Sequence, residues 1–185
     1  MSVVESLINR VSIASLSAPA PTDEQLSMLF SAASRAADHA CLKPYRFLVI
    51  QGEGLQQFGR SLRTIRAQQD ASLSEQQLQR FENLPLRAPM IVVVIASCQD
   101  HPKVPHIEQI ITAGAAAQNL INAAYALDIG AYWRTGDIAY NDDVKTLLKL
   151  EVQEHIVGFI YLGTPEDKIK TLTDKDKAVK VSHWP

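Results

Sequence analysis

"MIVVVIASCQDHPKVPHIEQIITAGAAAQNLINAAYALDIGAYWRTG", residues 90–136, holds a strand, a loop, a long helix and a second strand in one run. Its opening "MIVVVIAS" is β-branched and apolar without alternation, the pattern of a strand covered on both faces. "HPKVPH", residues 101–106, is broken by two prolines and reads as a loop. From Ile107 to Leu127 runs the longest helical stretch, and its middle, "TAGAAAQNLINAA", is packed with small residues. Small side chains let neighbouring backbones approach, so protein is expected on most sides of this helix. Gly130 ends it, and "AYWRTG" reads as a short strand with a glycine stop.

Upstream, Ser2 to Glu5 spells a capping box, S-x-x-E, and Val3, Val4, Leu7 and Ile8 make an apolar stripe on a short helix ending near Arg10. Thr22 to Gln25 spells a second box. Leu26, Leu29, Phe30 and Ala33 carry the helical period to about Arg35. Arg35, His39 and Lys43 follow at intervals of four, and Pro44 is expected to make Lys43 extended. "YRFLVIQG", residues 45–52, is then a strand. Leu55 to Leu84 is polar and Gln-rich, suited to one or two surface helices, and Pro85 and Pro89 bracket a turn. Downstream, Asn141 or Asp142 caps a short helix reaching Leu150. "HIVGFIYLGTP", residues 155–165, is the last strand before a Lys-rich tail. Four or so strands separated by helices predict an α/β or α+β sandwich around one sheet, with residues 1–185 as a single domain.

Composition narrows the function. The chain has 185 residues, 46% hydrophobic and 21% charged, and a net charge of −2, which disfavours a nucleic-acid partner. Two cysteines, Cys41 and Cys98, are too few for a disulfide framework and suit the free thiols of a reducing compartment. The N-terminus lacks a signal-peptide core, and the longest apolar run, Met90 to Ala96, is too short for a bilayer. A cytoplasmic protein with no membrane partner is expected. No G-x-G-x-x-G, P-loop, H-E-x-x-H, C-x-x-C or G-x-S-x-G is present. His101, His106 and Glu108 are the one conceivable metal set, but isolated loop histidines are ordinarily solvated, so no metal site is expected.

What remains is cationic and sits at element ends: Arg10 with Ser12, Arg35 with His39, and Arg134. Such positions let a rigid frame aim side chains at a ligand. A phosphate needs guanidinium or ammonium groups with hydroxyl or amide donors, which Arg10 and Ser12 supply. An Arg–x–Ser after a helix also serves simply as a partner for the helix dipole.

Taken in order, "LINRVSIAS", "RAADHACLKPYRFLVI", "RAPMIVVVIA", "GAYWRTG" and "IVGFIYLGTP" resemble the FMN-dependent nitroreductase family, its compact YdjA-like subgroup above all, over nearly the whole chain. The resemblance implies an α+β fold, a three-layer α/β/α sandwich around a mostly antiparallel sheet. It also implies a homodimer with two FMN sites, each shared by both subunits. Arg10 and Ser12 would then hold the FMN phosphate and ribityl end. Trp133, Arg134 and Thr135 would line the cofactor, and Arg35 and His39 would reach it from the opposite subunit. Lys168 would add a phosphate contact, and residues 123–128 would meet the nicotinamide nucleotide. The implied activity is reduction of a nitroaromatic or quinone-like acceptor by NAD(P)H through a ping-pong hydride mechanism. That chemistry demands no acid–base pair from the protein, and no catalytic residue is assigned. The alternatives are a reductase or dehydrogenase of one metabolite, and a flavin-binding protein with little turnover. Val11 stands where the family usually has a second Arg, Ala37 replaces a common proline, Lys43–Pro44–Tyr45 replaces Q-P-W, and Asp128 adds a negative charge.

Overall fold

The computed structural model describes residues 2–166, 172–173 and 179–184. Along them run α1 (Val3–Asn9), β1 (Leu16–Ser17), α2 (Asp23–Ala33), β2 (Tyr45–Gln51), α3 (Glu53–Gln69) and α4 (Glu75–Glu82). There follow β3 (Met90–Ser97), α5 (His106–Ala126), β4 (Gly130–Arg134), α6 (Asp137–Tyr140), α7 (Asp142–Leu147) and β5 (Glu154–Pro165). The strands form one sheet, and every pairing is antiparallel. β3 lies between β2 and β5. β5 carries β4 along its other side and β1 at its end.

The alternation concealed in "MIVVVIAS" now has its cause. Ile91, Val93 and Ile95 enter a core with Leu55, Phe58 and Leu62 of α3, while Met90, Val92 and Val94 enter another with Leu29 of α2 and Ala116, Ala117 and Leu120 of α5. Both faces are covered, so both parities are apolar. Each such side chain contributes roughly 1.5–3 kcal/mol by burial. The result is the expected α+β sandwich of three layers. Among the described residues no helix is long and apolar enough to cross a membrane.

Several expectations change in detail. The Gln-rich stretch forms two helices, α3 and α4. β1 and α6 are additional elements, too short to carry a period. α2 stops at Ala33, two residues before Arg35. Lys43 is not extended: its φ is +48°, and Ala40 and Cys41 are also left-handed at +60° and +54°. Asp38 explains this turn, because its carboxylate accepts from the backbone N–H of Leu42 (3.2 Å) and of Lys43 (2.7 Å). Pro44 disfavours the right-handed helical region at Lys43, and the Asp38 bonds draw the chain into the left-handed one. The capping box of α1 forms, yet Val3, Val4, Leu7 and Ile8 face outward and Ser6 is the buried residue. α5 likewise buries the side facing the sheet and α2 but exposes Ile107 and Ile111 on the other.

One ion pair, buried at its carboxylate and partly exposed at its guanidinium, ties three strands. Glu154, 6% exposed, accepts from Arg46 Nε (2.7 Å) and Nη2 (2.6 Å), from Ser97 Oγ (2.6 Å) and from the Glu151 N–H (3.0 Å). These bonds, chiefly those from Arg46, hold its carboxyl at about 2, below the usual 4.5. A depressed folded-state value stabilises fully above the unfolded value and is lost as pH falls through the folded one. The linked contribution is about 3 kcal/mol, intact above about pH 4.5 and gone near pH 2. Glu154→Gln should lower the thermal midpoint at pH 7, and its deficit against wild type should shrink steadily in melts below pH 4.5. A deficit constant from pH 7 to pH 3 would assign the loss to packing instead.

Candidate functional site

β4 ends in a half-open position. The Ala131 carbonyl accepts from the Ile13 N–H (3.0 Å), so it points away from β5. Backbone groups alternate in direction along a strand, and Trp133 therefore presents its N–H and C=O on that same outer side. No described strand pairs with β4 there. The Trp133 indole lies across β5, its Nε1–H donating to the Val157 carbonyl (3.3 Å). Gly158 makes this possible, since a Cβ there would overlap the indole nitrogen.

The next residue points to the opposite face. The Arg134 guanidinium lies 4.2 Å from the Tyr132 ring centre and 5.4 Å from that of Tyr161, and its Nε is buried without a hydrogen-bond partner. Burial pushes the Tyr161 phenol up, against the opposing pull of Arg134 and Arg87, so it is neutral at neutral pH. Gly136, at φ +70°, turns the chain into α6, and the space a Cβ would take is empty. Trp133, Arg134 and Thr135 together border a cleft of about 340 Å³, closed on its far side by Arg66, Phe81 and Arg87. Arg66 stacks over Phe81 at 4.9 Å. Its Nη2 lies 3.5 Å from an Asp137 oxygen without making a hydrogen bond.

The other sequence-derived residues fall in two places. Arg10 caps α1 and is half-buried, and Ser12 is exposed; the chain then docks through Ile13 on the outer edge of β4. Arg10 and Ser12 thus approach the edge that Trp133 leaves open, without lining the cleft itself. Arg35 and His39 lie elsewhere. His39 Nδ1 is 2.7 Å from the Glu108 carboxylate, and Thr112 Oγ1 donates to the Ala37 carbonyl (3.1 Å), which docks this segment on the first turns of α5. Neither Arg35 nor His39 is among the residues that border the cleft. Within one chain Arg35 and His39 do not join the cleft. Lys168 lies outside the described residues. His101, His106 and Glu108 have separate neighbours: the Lys103 N–H, Asp100 and His39. Among the described residues no metal-binding group of three appears.

Arg66 and Phe81 come from the stretch read as a plain polar surface, and Arg87 from the turn that Pro85 and Pro89 bracket. A signal was present: Arg66 follows Leu62 by four residues, placing a cation on the apolar stripe of α3.

The family profile described as "Nitroreductase family" matches residues 7–164. The chain belongs to the nitroreductase family. Over 171 residues, 92% of both chains, it is 39% identical to the Escherichia coli (strain K12) protein named "Putative NAD(P)H nitroreductase YdjA". The nitroreductase fold is shared with the nitroreductase-like family protein of Bacillus cereus, at a TM-score of 0.75 and 21% identity, over 99% of this chain and 97% of that one. It is shared also with a Bacteroides fragilis nitroreductase solved with bound FMN, at a TM-score of 0.73 and 17% identity, over 99% and 100% of the two chains.

The seat of Trp133 in this nitroreductase-family chain is directly testable. Gly158→Ala should cost about 1–3 kcal/mol through overpacking and should change the emission of Trp133. The comparison is best made in a Trp184→Phe background, because Trp184 is exposed. An unchanged spectrum and melting temperature would show that the indole does not depend on this notch.

Proposed function

We propose that this chain is an FMN-dependent oxidoreductase that takes electrons from NAD(P)H and delivers them to an electron-poor acceptor, nitroaromatic or quinone-like. The observation that carries the reading is the open edge of β4 at Trp133, beside a cleft in which the Arg134 Nε lacks a partner. A buried orphan donor calls for an acceptor, and a planar, oxygen-rich, anionic ligand provides several. The family relationship supports the same chemistry: YdjA is named as using NAD(P)H, and the Bacteroides fragilis neighbour holds FMN.

The residues present fit the cofactor. Arg10 and Ser12 hold its phosphate by charge-assisted bonds, and with Val11 uncharged the burden falls on Arg10. Trp133 and Thr135 border the ring end and exclude water from it. Arg134 places a fixed positive charge there, which stabilises electron density gained on reduction. When bound, FMN supplies an acceptor for the nicotinamide hydride and a donor of two electrons to the second substrate.

Arg35 and His39 enter the site from a second copy of the chain. In their own chain they sit on the segment docked against the first turns of α5 and do not border the cleft. The outward-facing Val3, Val4, Leu7 and Ile8 of α1, with Ile107 and Ile111 of α5, form the apolar surface such a copy would cover.

Three measurements test this. The purified protein should quench FMN fluorescence on titration and sediment as a dimer; a monomer that leaves FMN fluorescence unchanged would refute the flavin reading. Arg10→Ala should weaken FMN binding about tenfold or more while the melting curve changes little. Mixing Arg10→Ala chains with His39→Ala chains should restore one intact site in each heterodimer. If the mixture binds no better than either variant alone, the residues do not act across subunits.

A further inference from the structure

The cleft beside β4 does not stop at Phe81. A second hollow of about 300 Å³, bordered by Gln77 and Arg80, shares Phe81, Leu84 and Arg87 with it, so the two adjoin and are taken together as one groove. This groove runs from Trp133–Gly136 across the end of α4. Four guanidinium groups, of Arg66, Arg80, Arg87 and Arg134, border it, and Asp137 is the one carboxylate among the described lining residues. The acidic residues of α4 are directed elsewhere, since Arg63 holds Glu75 at 2.7 Å and lies 3.8 Å from Glu82. Two of the bordering arginines carry a buried nitrogen without a hydrogen-bond partner, Arg66 Nη2 and Arg134 Nε. Arg66 faces Asp137 at 3.5 Å, whereas Arg80, Arg87 and Arg134 have no carboxylate partner among the described residues. Such guanidinium groups along an aromatic-walled groove suit a ligand with several negative charges and a flat ring.

We infer that this groove binds the nicotinamide dinucleotide, with the ring at the Trp133–Gly136 end and the phosphates on Arg87 and Arg80. The inference rests on the flavin reading above, because the groove opens at the residues given to the cofactor. A single carboxylate would leave most of these cations unmatched, whereas a pyrophosphate carries two charges. The alternative place for the nucleotide, residues 123–128, is electrostatically poorer. That stretch is the carbonyl end of α5, where the helix dipole is negative, and it is followed by the exposed Asp128.

The test uses NADP⁺ and FMN as separate titrants on the full chain. Arg80→Gln and Arg87→Gln should each raise the NADP⁺ dissociation constant about tenfold, the effect of losing one charge-assisted contact. FMN affinity should stay at the wild-type value. Arg87→Lys, which keeps the charge, should recover part of the loss, and the salt dependence of NADP⁺ binding should flatten in both glutamine variants. Equal weakening of FMN would assign the groove to the flavin and overturn the inference. Unchanged NADP⁺ binding in both glutamine variants would overturn it as well. Failure of the flavin reading would register separately, as wild-type protein that does not quench FMN.

Discussion

Strand β5 is hydrogen-bonded to neighbours on both sides over Phe159–Leu162, to β3 on one and β4 on the other, and the remaining elements take their positions from it. A strand so enclosed has no room for ordinary side chains wherever another element must come close. Gly158 admits the Trp133 indole, and Gly163 admits Pro89 and the Ser17 carbonyl, where any Cβ would collide. The same enclosure dictates that β3, next to it, be apolar on both faces. α2 and α5 cover one face of the sheet and α3, α6 and α7 the other, and each core depends on β5 being in place.

Charge is handled in two opposite ways along this strand. At its start, Glu154 is satisfied by four hydrogen bonds from Arg46, Ser97 and Glu151, and the pair closes that end of the sheet. Beside Phe159 and Tyr161, Arg134 is stacked on two rings and its Nε has no acceptor. A fully satisfied pair contributes rigidity. An incompletely satisfied guanidinium in a cleft retains bonding capacity for an anion. This contrast, rather than the number of basic residues, separates a structural ion pair from a candidate binding position here.

Much of the architecture was legible because the signals are long or chemically specific. "MIVVVIAS", the 21-residue α5 and the S-x-x-E and T-x-x-Q boxes all form close to where the pattern puts them. β1 and α6, with two and four residues, have no room for a period. Lys43 escaped because the determinant of its conformation, the Asp38 carboxylate, lies five residues upstream and acts through a turn. Trp133, Arg134 and Thr135, singled out by the family pattern, are consecutive and border one cleft. Arg66 of α3 and Arg87 of the turn after α4 join them only through tertiary packing, because these segments must first fold onto the sheet. Only the family resemblance, which assigns Arg35 and His39 to the opposite subunit, anticipates that they do not border that cleft in their own chain.

The position of β5 in the sheet also bears on how the chain is made. β2 and β3 can pair as soon as residue 97 has left the ribosome, but the other edge of β3 waits for residues 154–162. Until then a fully apolar strand presents an unpaired edge through the synthesis of some sixty more residues. β4 is in the same position, since its partner is also β5. Sheet closure is therefore a late, long-range event, and the nascent chain is most open to strand-to-strand association just before its last strand emerges.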